Sequence, residues 1–350
     1  MVGGTNDVQS FSGGMDRRKV IACVFGHLLT SIIGCVLGSG LIVASTALQN
    51  SPTGLRMALF FAGAASLLSG LSGIVRWLRG PRVDPLLWLA AGWLVLLGFA
   101  AVFVGLLPLS ESHDPAAVLL EPSMLGPNLL SRHPLGTDTA ALDVLGQIIY
   151  GARVSIVVAL GGALIGGTIG GGLGLLSGYL GGYVEAVIVF VMEVLLSFPP
   201  LFLLMAMVTV LVPTVANLTV ALGILVVPAF TRLARANTLK VASREYVLAA
   251  RTLGTATPRI LLSEILPNIV PALVAYGFII FGLLIVAEAS LSFLGLGIQR
   301  PQPSWGNLIS QGEQYLQTSP HLVVGPTLFL FLTVLSANYV GQFLQRQWTA

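Results

Sequence analysis

Few side chains in this chain are placed to do chemistry, and those few lie in unusual surroundings. Glu193 and Glu288 fall inside long apolar runs, with Ser290 two residues beyond the second acid. An ionisable group in hydrocarbon costs at least about 2.5 kcal/mol on insertion scales, so such acids face protein or water. They are candidates either to line a translocation pathway and receive a solute's amino group, or to brace neighbouring helices. His27, His113, His133 and His321 are scattered along the chain, without the spacing of a metal site. No G-x-x-x-x-G-K-S/T phosphate loop is present, and no nucleophile–base constellation stands out. Catalysis, a resident metal and a cofactor within this chain are therefore not expected. Cys23 and Cys35 share one apolar run and read as packing residues rather than a disulfide framework. The remaining polar feature is the segment EYVLAARTLGTATPRILLSEILPN at 245–268, flanked on both sides by oily sequence.

The elements that must carry these residues are membrane helices. Only 9% of the 350 residues are charged and 55% are hydrophobic, with a mean hydropathy of +0.91. Globular chains carry roughly 25% charged residues, so the deficit points to lipid. A net charge of +3 is too small to argue for nucleic acid. About eight runs have the ~20 apolar residues that a helix needs to cross hydrocarbon: 20–48, 57–79, 86–109, 152–179, 184–212, 215–236, 268–293 and 321–344. Arg17, Arg18 and Lys19 precede the first run, and Ile32–Cys35 loosely resembles a lipoprotein cleavage box. That run continues past Cys35, too long for a signal peptide's core, so an uncleaved first helix is expected.

Lys and Arg in short loops fix orientation, because they favour the cytoplasmic side. With the N-terminus inside, thirteen of the 17 basic residues lie inside, and only Arg56, Arg132, Arg153 and Arg300 lie outside. Both termini are then cytoplasmic. Segments 110–150 and 294–320 become external loops, and 245–268 lies within the longest cytoplasmic loop, 237–267. Trp305, in the external PSWG, is expected either to anchor at the headgroups or to shape the external mouth.

Gly162, Gly166, Gly170, Gly174, Gly178 and Gly182 recur at every fourth position, with Gly167 and Gly171 alongside. Residues four apart share a helix face, so this stripe is expected to admit a neighbouring helix at close range. Pro199–Pro200 and Pro228 interrupt the fifth and sixth spans and are expected to kink them.

Segment 245–268 has its own helix grammar. Ser243 is placed to cap a helix whose first turn holds Glu245 and whose last turn holds Arg251, in accord with the helix dipole. Gly254 ends that helix. Thr257–Pro258 restarts one, as a cap followed by proline at the first helical position. Ala249 and Ala250 give little bulk, and Tyr246, Leu248 and Leu253 offer apolar contacts. The physics leaves two readings open: docking into a groove of a partner, or lying on lipid as an amphipathic helix.

The same residues carry a resemblance. The segment resembles the EAA loop of binding-protein-dependent ABC importer permeases, with Ala249, Ala250, Gly254, Leu266 and Pro267 on the pattern. HPLGTD at 133–138, DVL at 143–145, IYGAR at 149–153, SFP at 197–199, AEASLSFLGLG at 287–297 and QRPQPSWGNLIS at 299–310 resemble the dipeptide/oligopeptide/nickel class of that family. Together they cover about residues 130–344. The chain departs from the pattern at Leu248, where the family has Glu, and at Glu264, where it has Ile. It departs again at Ala141-Leu142-Asp143-Val144-Leu145-Gly146-Gln147, where the family often reads G-R-D-V-L-S-R.

The resemblance implies an all-α polytopic protein with a type I importer core of six helices over 86–350. Two additional N-terminal helices over 20–85 and a cytoplasmic tail over 1–19 precede that core. It implies coupling to an ATPase through Glu245, Tyr246, Ala249, Ala250, Gly254 and Thr255, with ATP and Mg held by that partner. The other implied partners are a second homologous permease, a pair of cytoplasmic ATPase subunits, an extracytoplasmic substrate-binding protein and membrane lipid. The site would be the bacterial plasma membrane and the cargo di- or oligopeptides, with nickel or a nickel chelate as the alternative. An ion-coupled secondary transporter would require inverted repeats with broken helices and would leave the EAA-like loop unexplained.

Overall fold

The computed structural model describes residues 85–107, 109–110, 112, 114–118, 121–128 and 131–349. The expected spans at 20–48 and 57–79, both cysteines, His27 and His113 lie outside the described residues. Among the described residues the secondary structure is helical, apart from one isolated bridge between Thr137 and Asp143. Helix α1 (Pro85–Val102) is apolar on every side and ends in a single 3-10 turn at Val104–Leu106. A long excursion follows, with one short turn at Pro115–Val118.

Helix α2 (Val144–Leu180) begins where Asp143 caps it, the carboxylate accepting from the Gly146 N–H at 2.8 Å. At 37 residues it is about 55 Å long, well beyond the hydrocarbon thickness. Helix α5 (Val215–Ala242), capped by Thr214, and α7 (Thr257–Phe293) also run past the spans expected for them. Helix α9 (His321–Thr349) closes the chain. These four are long and apolar enough to cross a membrane.

The expected span at 184–212 is not one kinked helix. It is two, α3 (Gly182–Ser197) and α4 (Pro200–Val210), bent by 89°. Phe198 and Pro199 are extended between them, because each proline bars helical geometry in the residue before it and removes a donor. Pro228, by contrast, stays inside continuous helix in α5, fully packed.

The glycine stripe explains the closest helix pair. Gly162, Gly166, Gly170, Gly174 and Gly178 all face α5. A Cβ on Gly170 would stand 2.5 Å from the Val227 carbonyl oxygen, and one on Gly174 2.5 Å from that of Thr231. Such backbone-to-backbone approach needs the absence of a side chain. Gly182 leaves the stripe: it opens α3 with φ of 54°. The main core lies where α2, α5 and α7 meet, around Ile148, Val158, Leu218, Leu222, Phe230 and Leu284. Helix α1 is tied to α9 by the Trp93 indole N–H, which donates to Thr333 Oγ1 at 3.0 Å.

Candidate functional site

Helix α6 (Glu245–Thr252) is a two-turn helix held off the end of α5. The cap differs from the sequence expectation. Ser243 belongs to the end of α5, its hydroxyl donating to the Lys240 carbonyl at 3.0 Å, and Arg244 occupies the cap without a side-chain bond. Helix α5 simply runs further than its apolar span and consumes the serine. The end of α6 is as expected. Gly254 adopts φ of 78°, its N–H donates to the Arg251 carbonyl, and the Thr255 N–H donates to that of Ala250. This crossed pair is the Schellman arrangement that a left-handed residue permits. The restart also shifts by one residue: Ala256 is the cap, and Thr257 and Pro258 are the first two helical residues. Proline at the second position sacrifices nothing, because the first N–H groups of a helix are unpaired.

One face of α6 is seated. Val247 is fully buried in a small cluster with Leu175, Ile260, Leu261, Ile265 and Ile269, and Ala250 packs beside it. The Arg251 guanidinium lies over the Tyr179 ring at 5.3 Å from its centroid, a contact worth about 0.5–1 kcal/mol where exposed. The other face is open: Leu253 is 85% exposed, Leu248 46% and Tyr246 42%, with Glu245 and Ala249 exposed beside them. Beyond Arg259 the chain forms a π turn, Ile260–Ile265, before continuing into the membrane-spanning part of α7. Such turns are rare and occur often at functional sites. At the same end, Arg235 of α5 forms an ion pair with Glu185 in the first turn of α3.

The acids placed in apolar sequence separate. Glu193 is exposed on α3. Glu288 is fully buried, accepting from Ser155 Oγ at 2.7 Å and from Ser292 Oγ at 2.7 Å. The geometry at Glu288 is that of a brace joining α2 to α7. Ser290 is half-buried and donates to the Val286 carbonyl. Glu193, Glu288 and Ser290 are thus not brought together. Trp305 is not an interfacial anchor. It is fully buried, with Nε1 donating to the Ile148 carbonyl at 3.0 Å, because α8 (Trp305–Glu313) folds back onto α2 and α7.

A polar cluster at the opposite end of α7 from α6 had no role assigned from sequence. His133 Nδ1 lies 3.2 Å from Asp143 Oδ1, and its Nε2 lies 2.9 Å from Glu121 Oε2. Both ring nitrogens meet carboxylates, so the ring is best satisfied as the imidazolium, a donor on each side. The bond to Asp143 holds the His133 pKa above its ordinary value, against the opposing effect of burial. Burial pushes Asp143 upward as well, although His133 and the Gly146 N–H pull it down. Next to this cluster Ala141 holds φ of 62°, a left-handed position that glycine takes without cost and alanine does not. Asp138 accepts from the Ala140 and Leu142 N–H groups, from Gln147 Nε2 and from Arg300. The signal available in sequence was the density of His, Asp and Glu in 111–143, within a chain otherwise poor in them.

Comparison with known proteins follows the same outline. Residues 170–348 match the family described as binding-protein-dependent transport system inner membrane component. A glutathione transport system permease protein GsiD from Pectobacterium atrosepticum is 36% identical over 215 residues, 61% of this chain and 71% of that protein. Its counterpart from Shigella flexneri is 39% identical over 220 residues, 63% of this chain and 72% of that protein. An inward-facing structure of the MetNI methionine ABC transporter aligns with a TM-score of 0.49 at 20% identity, covering 58% of this chain and 97% of that one.

Proposed function

Since this chain belongs to the binding-protein-dependent transport system inner membrane components, the permease subunits of ABC importers, we propose that it carries small peptides across the membrane. In this reading it forms half of the pathway together with a second permease. An extracytoplasmic binding protein delivers the solute, and two cytoplasmic ATPases drive the cycle. The peptide assignment is supported by the relatives, which are glutathione permeases. The orientation follows from the asymmetry of Lys and Arg and puts α6 on the ATPase side.

The observation that carries the reading is α6 itself. A short helix seated by buried Val247 with Ala250 beside it, and with Tyr246, Leu248 and Leu253 turned outward, is built to be gripped by a groove. Arg244, Arg251 and Arg259 surround it, so the face is apolar at its centre and charged at its rim, as interfaces are. Glu245, Tyr246, Ala249, Ala250, Gly254 and Thr255 are the proposed coupling residues. Purification of the tagged permease from its native operon context tests this: two ATP-binding subunits are expected to accompany it. Leu253→Asp is expected to release them, since loss of a central apolar anchor costs about 2 kcal/mol or more. Retention of both subunits by that variant at wild-type stoichiometry would sink the docking role of α6.

A further inference from the structure

Helix α3 is apolar and almost unpacked. Of its 16 residues only Met192 is buried, while Phe190, Val191, Val194 and Leu196 are exposed. Lipid would suit such a helix, were it not for what stands at its end. Glu193 is exposed there, with no cation or hydrogen-bond donor beside it among the described residues. It lies one turn from the C-terminus of α3, where the helix dipole disfavours a negative charge. Glu185, earlier on the same helix, pairs with Arg235 at the α6 end. Glu193 sits about 12 Å further along, within hydrocarbon about 30 Å thick.

The break beside Glu193 adds to the negative field. Pro199 and Pro200 lack the N–H groups that would answer the Leu195 and Leu196 carbonyls in a continuous helix. Phe198 and Pro199 are extended. The Ser197 hydroxyl donates to the Val194 carbonyl at 2.7 Å, so its proton is spent. An unpaired acid and non-helical backbone at membrane depth are tolerated only against protein or a water-filled cavity. Lipid is thereby excluded as the cover of this end of α3.

We infer that the end of α3 receives the cationic amino terminus of a small peptide in transit, the ammonium pairing with the Glu193 carboxylate in the negative field of the helix end. A free peptide carries that charge near neutral pH, since an α-amino group titrates at about 7.7–8.0. The inference rests on the peptide reading above and adds the group of the solute that the permease recognises and the place where it does so. The pathway shared with the second permease would supply water at this depth.

The test uses the transporter purified with its second permease and ATPases in nanodiscs, without binding protein. It is titrated with trialanine and with N-acetyl-trialanine by ligand-detected NMR. Trialanine is expected to bind and the acetylated form to bind roughly tenfold more weakly, the loss of one charge-assisted pair. Glu193→Gln is expected to weaken trialanine by the same factor and to bind the two peptides equally. Glu193→Asp, which keeps the charge on a shorter stem, should retain part of the preference. Equal affinity for the two peptides in the wild type, an undiminished preference in Glu193→Gln, or no binding of trialanine overturns the inference. Loss of the second permease from purified Glu193→Gln would make the acid a brace between subunits and overturn it as well. Uptake of trialanine by the wild-type transporter with its binding protein bears on the peptide reading alone. Uptake without a preference in the titration would keep that reading and overturn this one.

Discussion

His133 shows how one side chain fixes a segment of backbone. Its ring joins Glu121, in the excursion after α1, to Asp143, the cap of α2, so the protonated ring clamps the loop to the helix. The hydrogen bond to Asp143, with the charges of Asp143 and Glu121, raises the His133 pKa in the folded state. A histidine raised on folding contributes its full stabilisation below the ordinary value of 6.5, and that contribution is lost as pH rises through the folded value. Protection factors for residues 131–143, corrected for intrinsic exchange rates, are therefore expected to be highest near pH 6 and to fall by roughly tenfold above the folded value. His133→Gln should flatten this dependence and start from the lower level. At this scale the sequence was partly readable. Ala141 stands where the resembled family carries glycine, and the structure puts that residue at φ of 62°, so the departure marked a strained turn. Ionic partners ten or more residues apart, such as Glu121 with His133 and Asp138 with Arg300, carry no local signature, since only the tertiary path of the excursion brings them together.

At the scale of elements, the α2–α5 pair is decided by the absence of side chains. A Cβ on Gly174 would meet Ala234 Cβ and the Thr231 carbonyl oxygen at 2.5 Å and the Arg235 nitrogen at 2.8 Å. Two of these are backbone atoms and cannot rotate away. Gly172, on the same helix, has open space around it. Gly174→Ala is expected to destabilise the permease by about 1–3 kcal/mol through overpacking. Gly172→Ala is expected to be neutral or stabilising by up to about 1 kcal/mol from helix propensity. Thermal unfolding of the two variants in one detergent decides the matter, and equal midpoints would contradict the assigned stripe. The four-residue period of glycine made this contact readable in advance, because helix geometry alone puts such residues on one face. The break between α3 and α4 was readable in place but not in angle: two prolines stop a helix, while the 89° turn depends on what α3 and α4 pack against. The π turn at Ile260–Ile265 left no trace in composition, since it replaces no residue type and alters only the hydrogen-bond register.

For the molecule as a whole, the account is mechanical. In the proposed cycle a push on the open face of α6 would pass through Val247 into Leu175 of α2 and into Ile260 and Ile265 at the base of α7, which share one cluster with it. On this proposal the long helices α2 and α7 would carry it to the end where Asp138, Arg300 and the buried Glu288 lie. Hydropathy revealed the spans among the described residues because lipid and core both demand apolar runs. It misplaced their ends, since helices continue into water wherever caps and polar turns allow, and the headgroup position open to Trp305 on residue type is excluded by its full burial. The helix at α6 and its glycine end were readable because its glycine, acid and base sit at fixed offsets within twelve residues, whereas the cluster around Arg300 required two distant loops to meet.

The central claim is that α6 transmits the ATPase cycle, and its most direct test is the ratio of solute taken up to ATP hydrolysed by the reconstituted transporter. Gly254→Leu is the informative variant: the surrounding space is open, so its cost is the left-handed backbone, about 1–2 kcal/mol, concentrated at the end of α6. The account predicts that ATP hydrolysis persists while uptake per ATP falls by roughly tenfold, a loss of about 1.4 kcal/mol in coupling. An unchanged ratio, with the variant fully assembled, would contradict it.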